Sequence, residues 1–224
     1  MKKLFLMLTS LFAAGAITTS CCSNDTTSRC KSDSASCCNS DTATMGATPS
    51  VSTQEAVLNN IMTRSSVRSY TSQAVEKEKI ETLLRAGMAA PTGSNKQPWE
   101  FVVITDPAIL SQLPSVAGGM RMAANAPLAI AVLGDSRISG SWILDCSAAT
   151  ENILLAAHAM GLGAVWCGVE PNNDTDRVAK MAELLDLPEG VHALNAIIIG
   201  YPDSEAQVKD KWKPEKVHYD SYKK

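Results

Sequence analysis

Apolar residues recur along this chain in two rhythms, and each change of rhythm marks an element. Ser52 and Thr53, then Glu55, then Ala56, Val57, Leu58, Ile61 and Met62 read as a capped amphipathic helix. Thr63 to Tyr70 breaks the rhythm with polar, turn-prone residues. Helical spacing returns from Glu76 to Ala90, with Ile80, Leu83, Leu84 and Met88 in phase. A polar loop between Pro91 and Pro98 follows, and Trp99 to Ile104 then reads as a strand. Pro107 opens a short helix through Leu113. Gly118-Gly119 is a break, and Met120 to Asn125 predicts one more helical turn. Pro127 to Leu133 is a near-continuous apolar run of strand length, the mark of a central strand. Ile143 to Met160 is the longest helix. Leu144, Ala148, Ile153, Leu154, Ala156, Ala157 and Met160 make it apolar round much of its circumference, which predicts burial. Gly161-Leu162-Gly163 stops it. Ala164 to Val169 reads as a strand, Thr175 to Leu185 as a helix capped by Asp174, and Ala193 to Ile199 as the last core strand, closed by Gly200-Tyr201-Pro202. The tail from Asp203 is polar and lysine-rich. This loose alternation predicts an α+β fold around a buried central helix, with no internal repeat.

The first 52 residues follow neither rhythm. Met1-Lys2-Lys3, an apolar run from Leu4 to about Ile17 and the small residues before Cys21 describe a secretory leader. The run is shorter than the ~20 residues of a comfortable spanning helix. A cysteine directly after the small residues resembles a bacterial lipoprotein signal, in which Cys21 is lipidated and becomes the new N-terminus. A plain signal peptide cleaved nearby is the other reading. Residues 21–52, rich in Ser, Thr, Asp, Asn and Cys, lack apolar periodicity and read as a disordered tether. Cys22, Cys30, Cys37 and Cys38 fall within it. Export allows them to form disulfides, and a soft metal is the alternative, although no pair of C-x-x-C motifs is present. The expected organisation is therefore a leader at 1–20, a tether at 21–52 and one domain at 53–224, placed in the cell envelope by a lipid anchor.

Charge narrows the classes of function. The chain carries 20 Lys and Arg against 23 Asp and Glu, a net charge of −3, with no long basic run, so nucleic-acid binding has no electrostatic support. Three histidines, His158, His192 and His218, argue against a histidine-based catalytic or metal centre.

Two polar stretches carry candidate chemistry. Arg64-Ser65-Ser66-Val67-Arg68 sets two guanidiniums and two hydroxyls within five residues, a donor set suited to phosphate. Arginines complementing a helix C-terminus are the plainer reading. A second basic cluster, Lys209, Lys211 and Lys213, either closes on the same anion or belongs to a soluble tail. The loop Pro91-Thr92-Gly93-Ser94-Asn95-Lys96-Gln97-Pro98 offers two hydroxyls and two amides, a set suited to a planar, heteroatom-rich ligand. An ordinary helix-to-strand connection is its alternative. Trp99 and Phe101 read as core, Cys167 as a small apolar packer and Cys146 as inert. His158 reads as a satisfied packing histidine. Asp145 and Glu151 are candidates for pairing with a basic group across a dimer.

Taken in order, four stretches resemble the nitroreductase family of flavin-dependent oxidoreductases. They are Arg64-x-Ser66-x-Arg68; Asn95-x-Gln97-Pro98-Trp99; Asn152 to Ala157 through Gly161 to Trp166; and Gly200-Tyr201-Pro202 with Lys209-Asp210-Lys211-Trp212. The resemblance implies a three-layer α+β fold with a central mixed sheet, and a domain-swapped type of homodimer with FMN at the subunit interface. It places Arg64 and Ser66 at the FMN phosphate, counts Ser65 among the cofactor-binding residues, and adds Lys211 as a further phosphate contact, standing where many relatives have Arg. Arg68 would reach the ribityl chain and the pyrimidine edge, with Asn95 nearby. Pro91, Thr92 and Ser94 would line the flavin from the partner subunit, with Gln97 close by. Val165, Trp166, Cys167 and Gly168 would run past the ring, the Gly168 amide near N5. The implied activity is ping-pong transfer from NAD(P)H, or another electron donor, to a nitroaromatic, quinone or similar small aromatic acceptor. No side-chain acid or base and no metal is required, which suits the histidine-poor composition. Export sets a second reading beside it, because NAD(P)H is a cytoplasmic reductant: a non-catalytic flavin- or metal-binding envelope lipoprotein. Reductive dehalogenation and flavin-driven dehydrogenation are further chemistries of the same family. The segment from about Ser111 to Asn125, which would select the acceptor, carries no diagnostic residue.

Overall fold

A computed structural model describes residues 52–169, 175–205 and 207–222. The leader, Cys21, the tether cysteines Cys22, Cys30, Cys37 and Cys38, and the Asp174 cap lie outside the described residues.

Among the described residues four strands form the sheet: β1 (Trp99–Ile104), β2 (Leu128–Asp135), β3 (Gly163–Gly168) and β4 (Val191–Gly200), in the order β1-β2-β4-β3. All three ladders are antiparallel. The mixed character expected of the sheet rests on one parallel bridge outside them, between Ser66 and Ala164. β2 and β4 occupy the centre, and every residue of β2 is buried, as its uninterrupted apolar run predicts. β4 begins two residues earlier than its apolar pattern suggests, because Val191 and His192 pair with Asp135 and Gly134. Between Val132 and Leu133 the register shifts by one on β4. The extra residue there is Leu194, and the bulge turns Asn195 toward the long helix, where its amide donates to Thr150 Oγ1 at 2.9 Å.

Helices cover both faces of the sheet, giving three layers. On one face lie α2 (Lys77–Met88) and α5 (Trp142–Ala159), packed on Leu128, Ile130, Val132, Ile197 and Ile199. On the other lie α3 (Pro107–Leu110), α4 (Leu113–Val116), the 3-10 segment Gly118–Asn125 and α6 (Thr175–Leu184), packed on Ala129, Ala131, Leu133, Ala196 and Ile198. The single helix expected from Pro107 to Leu113 is two short ones, because Pro114 has no N–H with which to continue the ladder. Gly118 and Gly119 open the 3-10 segment rather than break it. α2 and α5 approach closely at Gly87, where a Cβ would lie 2.9 Å from Ile153 Cδ1.

α5 buries Cys146, Ala149, Thr150, Ile153, Leu154 and Ala157, as its composition predicts, but leaves Leu144 71% exposed. α1 (Thr53–Thr63) has the expected cap: Ser52 Oγ accepts from the Glu55 amide, and the Glu55 carboxylate accepts from the Ser52 amide. None of its residues is buried within the chain, and Val57, Leu58, Ile61 and Met62 are exposed.

Candidate functional site

The basic stretch after α1 is held against the edge strand β3 by its backbone. The Val67 amide donates to the Ala164 carbonyl at 3.0 Å, and Thr71 donates to Tyr201 at 2.8 Å. Gly163 makes the approach possible, since a Cβ there would meet Val67 Cγ1 at 2.6 Å. Tyr70 pins the far end, its hydroxyl lying 2.6 Å from the Val67 carbonyl and 3.0 Å from that of Ile198. Burial raises the Tyr70 phenol well above its ordinary range, so it remains a donor. Ser69 donates to the Asp203 carboxylate and fastens the tail to the same stretch.

This docking brings the two basic clusters together. Arg64, Ser65, Ser66, Arg68, Gln207, Lys209 and Lys211 line one cavity of about 250 Å³. Lys213, the third lysine of the tail cluster, does not line it. The Ser65 hydroxyl, on the wall between this cavity and a neighbouring one, is buried with no hydrogen-bond partner among the described residues. An orphaned donor among four cationic side chains fits an incoming anion, whose oxygens would satisfy it. Arg64 is oriented by Glu151, 3.5 Å from its Nε. Glu151 therefore finds its basic partner within the chain.

Arg68 also lines an adjoining cavity of about 300 Å³, with Ala117, Gly119, Met120, Val165, Trp166, Cys167, Gly168 and Arg177. Trp166 is 36% exposed, the open position of an otherwise mostly buried strand. Cys167 faces the core, and burial pushes its thiol up to about 11, with Arg68 pulling the other way. Cys146 is likewise raised, to about 12, chiefly by burial. Neither thiol is ionised at neutral pH, in keeping with packing roles. A wider cavity of about 590 Å³ lies beyond Ser65. Its walls are largely apolar and it carries the carboxylates of Asp203 and Glu205, so it does not suit an anion.

The loop from Pro91 to Gln97 sits elsewhere. Pro91, Thr92, Ser94, Asn95 and Gln97 line neither basic cavity within one chain, and Asn95 is not brought to Arg68 there. The loop is closed on itself: the Gln97 amide donates to Thr92 Oγ1 at 3.1 Å, and Gln97 Nε2 to Asn95 Oδ1 at 2.9 Å. Ser94, Asn95 and Gln97 all adopt left-handed φ, at 53°, 53° and 51°. Such residues cost of order 1–3 kcal/mol each and persist where surrounding contacts hold them. Asp145 is one of those contacts. Its carboxylate accepts from the Gly93 amide and from Ser139 Oγ rather than from a basic group. His158 is satisfied by Thr63 Oγ1 at 2.8 Å. Trp99 and Phe101 are half-buried against the α5-side core.

Sequence reasoning missed Gln207 and Arg177. Arg177 donates from Nη1 to the Gly168 carbonyl at 3.2 Å. Nothing in the α6 pattern singles it out, because its role comes from where α6 packs. Gly119 and Met120 fall inside the segment expected to select the acceptor, but their place on the cavity wall was not legible.

The class is defined by an α+β domain with helices on both faces of an antiparallel sheet and a basic cavity beside its edge strand. The profile of the nitroreductase family matches residues 61–119 and 112–201. A protein of Archaeoglobus fulgidus, provisionally named an NADH dehydrogenase/NAD(P)H nitroreductase, is 38% identical over 175 residues, covering 75% of this chain and 99% of its own. A crystal structure from Bacteroides thetaiotaomicron with the same provisional name is 47% identical, with a TM-score of 0.72 over 75% of this chain and 98% of that one. The NADPH:FMN oxidoreductase of Vibrio harveyi, solved with NAD+, is 26% identical, with a TM-score of 0.68 over 75% of this chain and 79% of that one. The chain belongs to the nitroreductase family.

Proposed function

We propose that the protein is an FMN-dependent oxidoreductase that carries reducing equivalents from NAD(P)H to a small acceptor, such as a nitroaromatic or a quinone, in a ping-pong cycle. The observation that carries this reading is the basic cavity around the orphaned Ser65 hydroxyl, continuous through Arg68 with the Trp166–Gly168 edge. FMN supplies the hydride chemistry when bound. Arg64, Ser65, Ser66 and Lys211 hold its phosphate. Arg64 contributes a planar fork and Lys211 a point charge. Arg68 stands where the two cavities meet and offsets negative charge on the pyrimidine edge of the reduced ring. Val165, Trp166, Cys167 and Gly168 present strand backbone and an open indole to the ring.

The active unit in this reading is a homodimer in which the partner's Pro91–Gln97 loop completes the site. Two features support it: the loop lies away from its own chain's basic cavity, and α1 and Leu144 leave apolar side chains uncovered. Lipidation of Cys21 would hold the dimer at the cell envelope. Loss of fatty-acid labelling in a Cys21→Ala chain would support that anchor, and retained labelling would remove it.

The deciding experiment is a visible spectrum of the purified protein after FMN addition and gel filtration. Flavin bands co-eluting with a dimer, and bleached by NADH or NADPH, are expected. Bound flavin that stays oxidised under excess donor would sink the enzyme reading and leave a flavin binder.

A further inference from the structure

We infer that Asp145 is a positioning residue that holds the Thr92–Gln97 loop in the shape that meets the ligand. The inference rests on the FMN reading above. Asp145 lies in the first turn of α5 and is 5% exposed. A buried carboxylate usually sits beside a cation. Here its Oδ1 accepts from the Gly93 amide at 2.9 Å and its Oδ2 from Ser139 Oγ at 3.0 Å. Ser139 Oγ in turn accepts from the Ser141 amide at 3.2 Å, which fixes the far side of the carboxylate. The bond to Gly93 is therefore a charge-assisted one from a rigid helix to a loop amide.

That loop needs an external hold. Three of its non-glycine residues have left-handed φ, and its bonds through Thr92, Asn95 and Gln97 run only within it. At its far end the Asp135 amide donates to the Pro98 carbonyl at 2.9 Å. Asp145 supplies the corresponding tie at the near end. A carboxylate near a helix N-terminus is also favoured by the dipole, but a dipole role does not depend on Gly93.

The test compares Asp145→Ala, Asp145→Asn and wild type in two readouts. The first is amide hydrogen exchange of Gly93 and Gln97 before FMN is added. The second is the FMN dissociation constant. Asp145→Ala should speed both exchange rates by about tenfold and weaken FMN by about tenfold, the size of one charge-assisted hydrogen bond. Asp145→Asn, whose amide oxygen can still accept, should restore both to within about threefold. If Asp145→Ala does not fold, Gly93→Pro decides through the Gln97 amide and FMN affinity alone, since it removes the donor from the loop side and with it the residue 93 amide. Unchanged exchange and affinity in the folded variant would overturn the inference. The exchange readout is independent of flavin. A wild type that binds no FMN, with exchange still governed by Asp145, would defeat the functional reading and leave the loop clamp standing.

Discussion

The basic stretch at Arg64–Arg68 and the loop at Thr92–Gln97 are alike in length and polarity, yet the fold treats them in opposite ways. In the first, the backbone is anchored to β3 and Arg64 is paired with Glu151, while the buried Ser65 hydroxyl has no hydrogen-bond partner among the described residues. In the second, the side chains are engaged with the loop's own atoms, and the unusual feature is the backbone, with three left-handed residues. The difference separates two ways of preparing a site. One holds unsatisfied donors ready for the atoms of a ligand. The other fixes a surface whose shape is the contribution.

If this contrast is right, substitutions in the first stretch should act on binding and leave stability alone. The largest effect belongs to Arg64→Ala, which should weaken FMN by at least about 1.5 kcal/mol, the scale of a hydrogen bond to a charged group. Fluorescence titration measures it, and an unchanged affinity would break the comparison at its strongest point. Arg68→Ala should shift energy from affinity to redox behaviour. Its flavin midpoint potential should fall by on the order of 30 mV, equivalent to about 1.4 kcal/mol for a two-electron couple. Equal potentials in a spectroelectrochemical titration would remove the charge-offset role of Arg68.

Ser65→Ala should split the two quantities by sign. FMN affinity should drop by about 1 kcal/mol, while the denaturation midpoint of the flavin-free protein holds or rises, because a buried group without a partner is removed. A parallel loss of both would show that the hydroxyl is structural.

The smallest effect concerns the loop side. Arg137 holds the Asp135 carboxyl down to about 2, first through their side-chain hydrogen bonds at 2.6 and 2.9 Å. The folded value lies below the ordinary 3.8. The stabilisation is therefore present above pH 4 and lost as pH falls toward 2. The Asp135 amide carries the far end of the loop, so this acid window should loosen the loop before the basic cavity. The stability gap between wild type and Arg137→Ala should close between pH 4 and pH 2 in urea titrations. A constant gap would show that the Arg137–Asp135 pair does not carry this acid-sensitive stability.

Much of the fold was legible in the sequence because its elements are buried in simple ways. β2 and β4 are apolar on both faces and α5 is apolar on most of its surface, so composition alone located them. The boundaries that shifted did so for tertiary or local chemical reasons: β4 lengthens because β2 offers Gly134 and Asp135 as partners, and Pro114 divides a helix that hydrophobic spacing alone would continue. For the candidate site, the clustering of Arg64, Ser65, Ser66 and Arg68 stood out in the sequence as charged and hydroxyl side chains, and the structure brings them and Lys211 to one cavity. The partners of Asp145 and Glu151 could not be named, since nothing in the sequence links Asp145 to Gly93 or Glu151 to Arg64, and packing alone makes them partners. The Arg177 contact with Gly168 was hidden for the same reason.

The cavity that unites Arg64 with Lys209 and Lys211 draws its walls from the two ends of the domain. A chain emerging from the ribosome presents the arginines long before the lysines. Everything between them must be delivered before both sides of the cavity can face each other. A prematurely terminated copy that ends before Lys209 would lack two of the four cationic side chains that line this cavity, so the cavity is complete only late in synthesis.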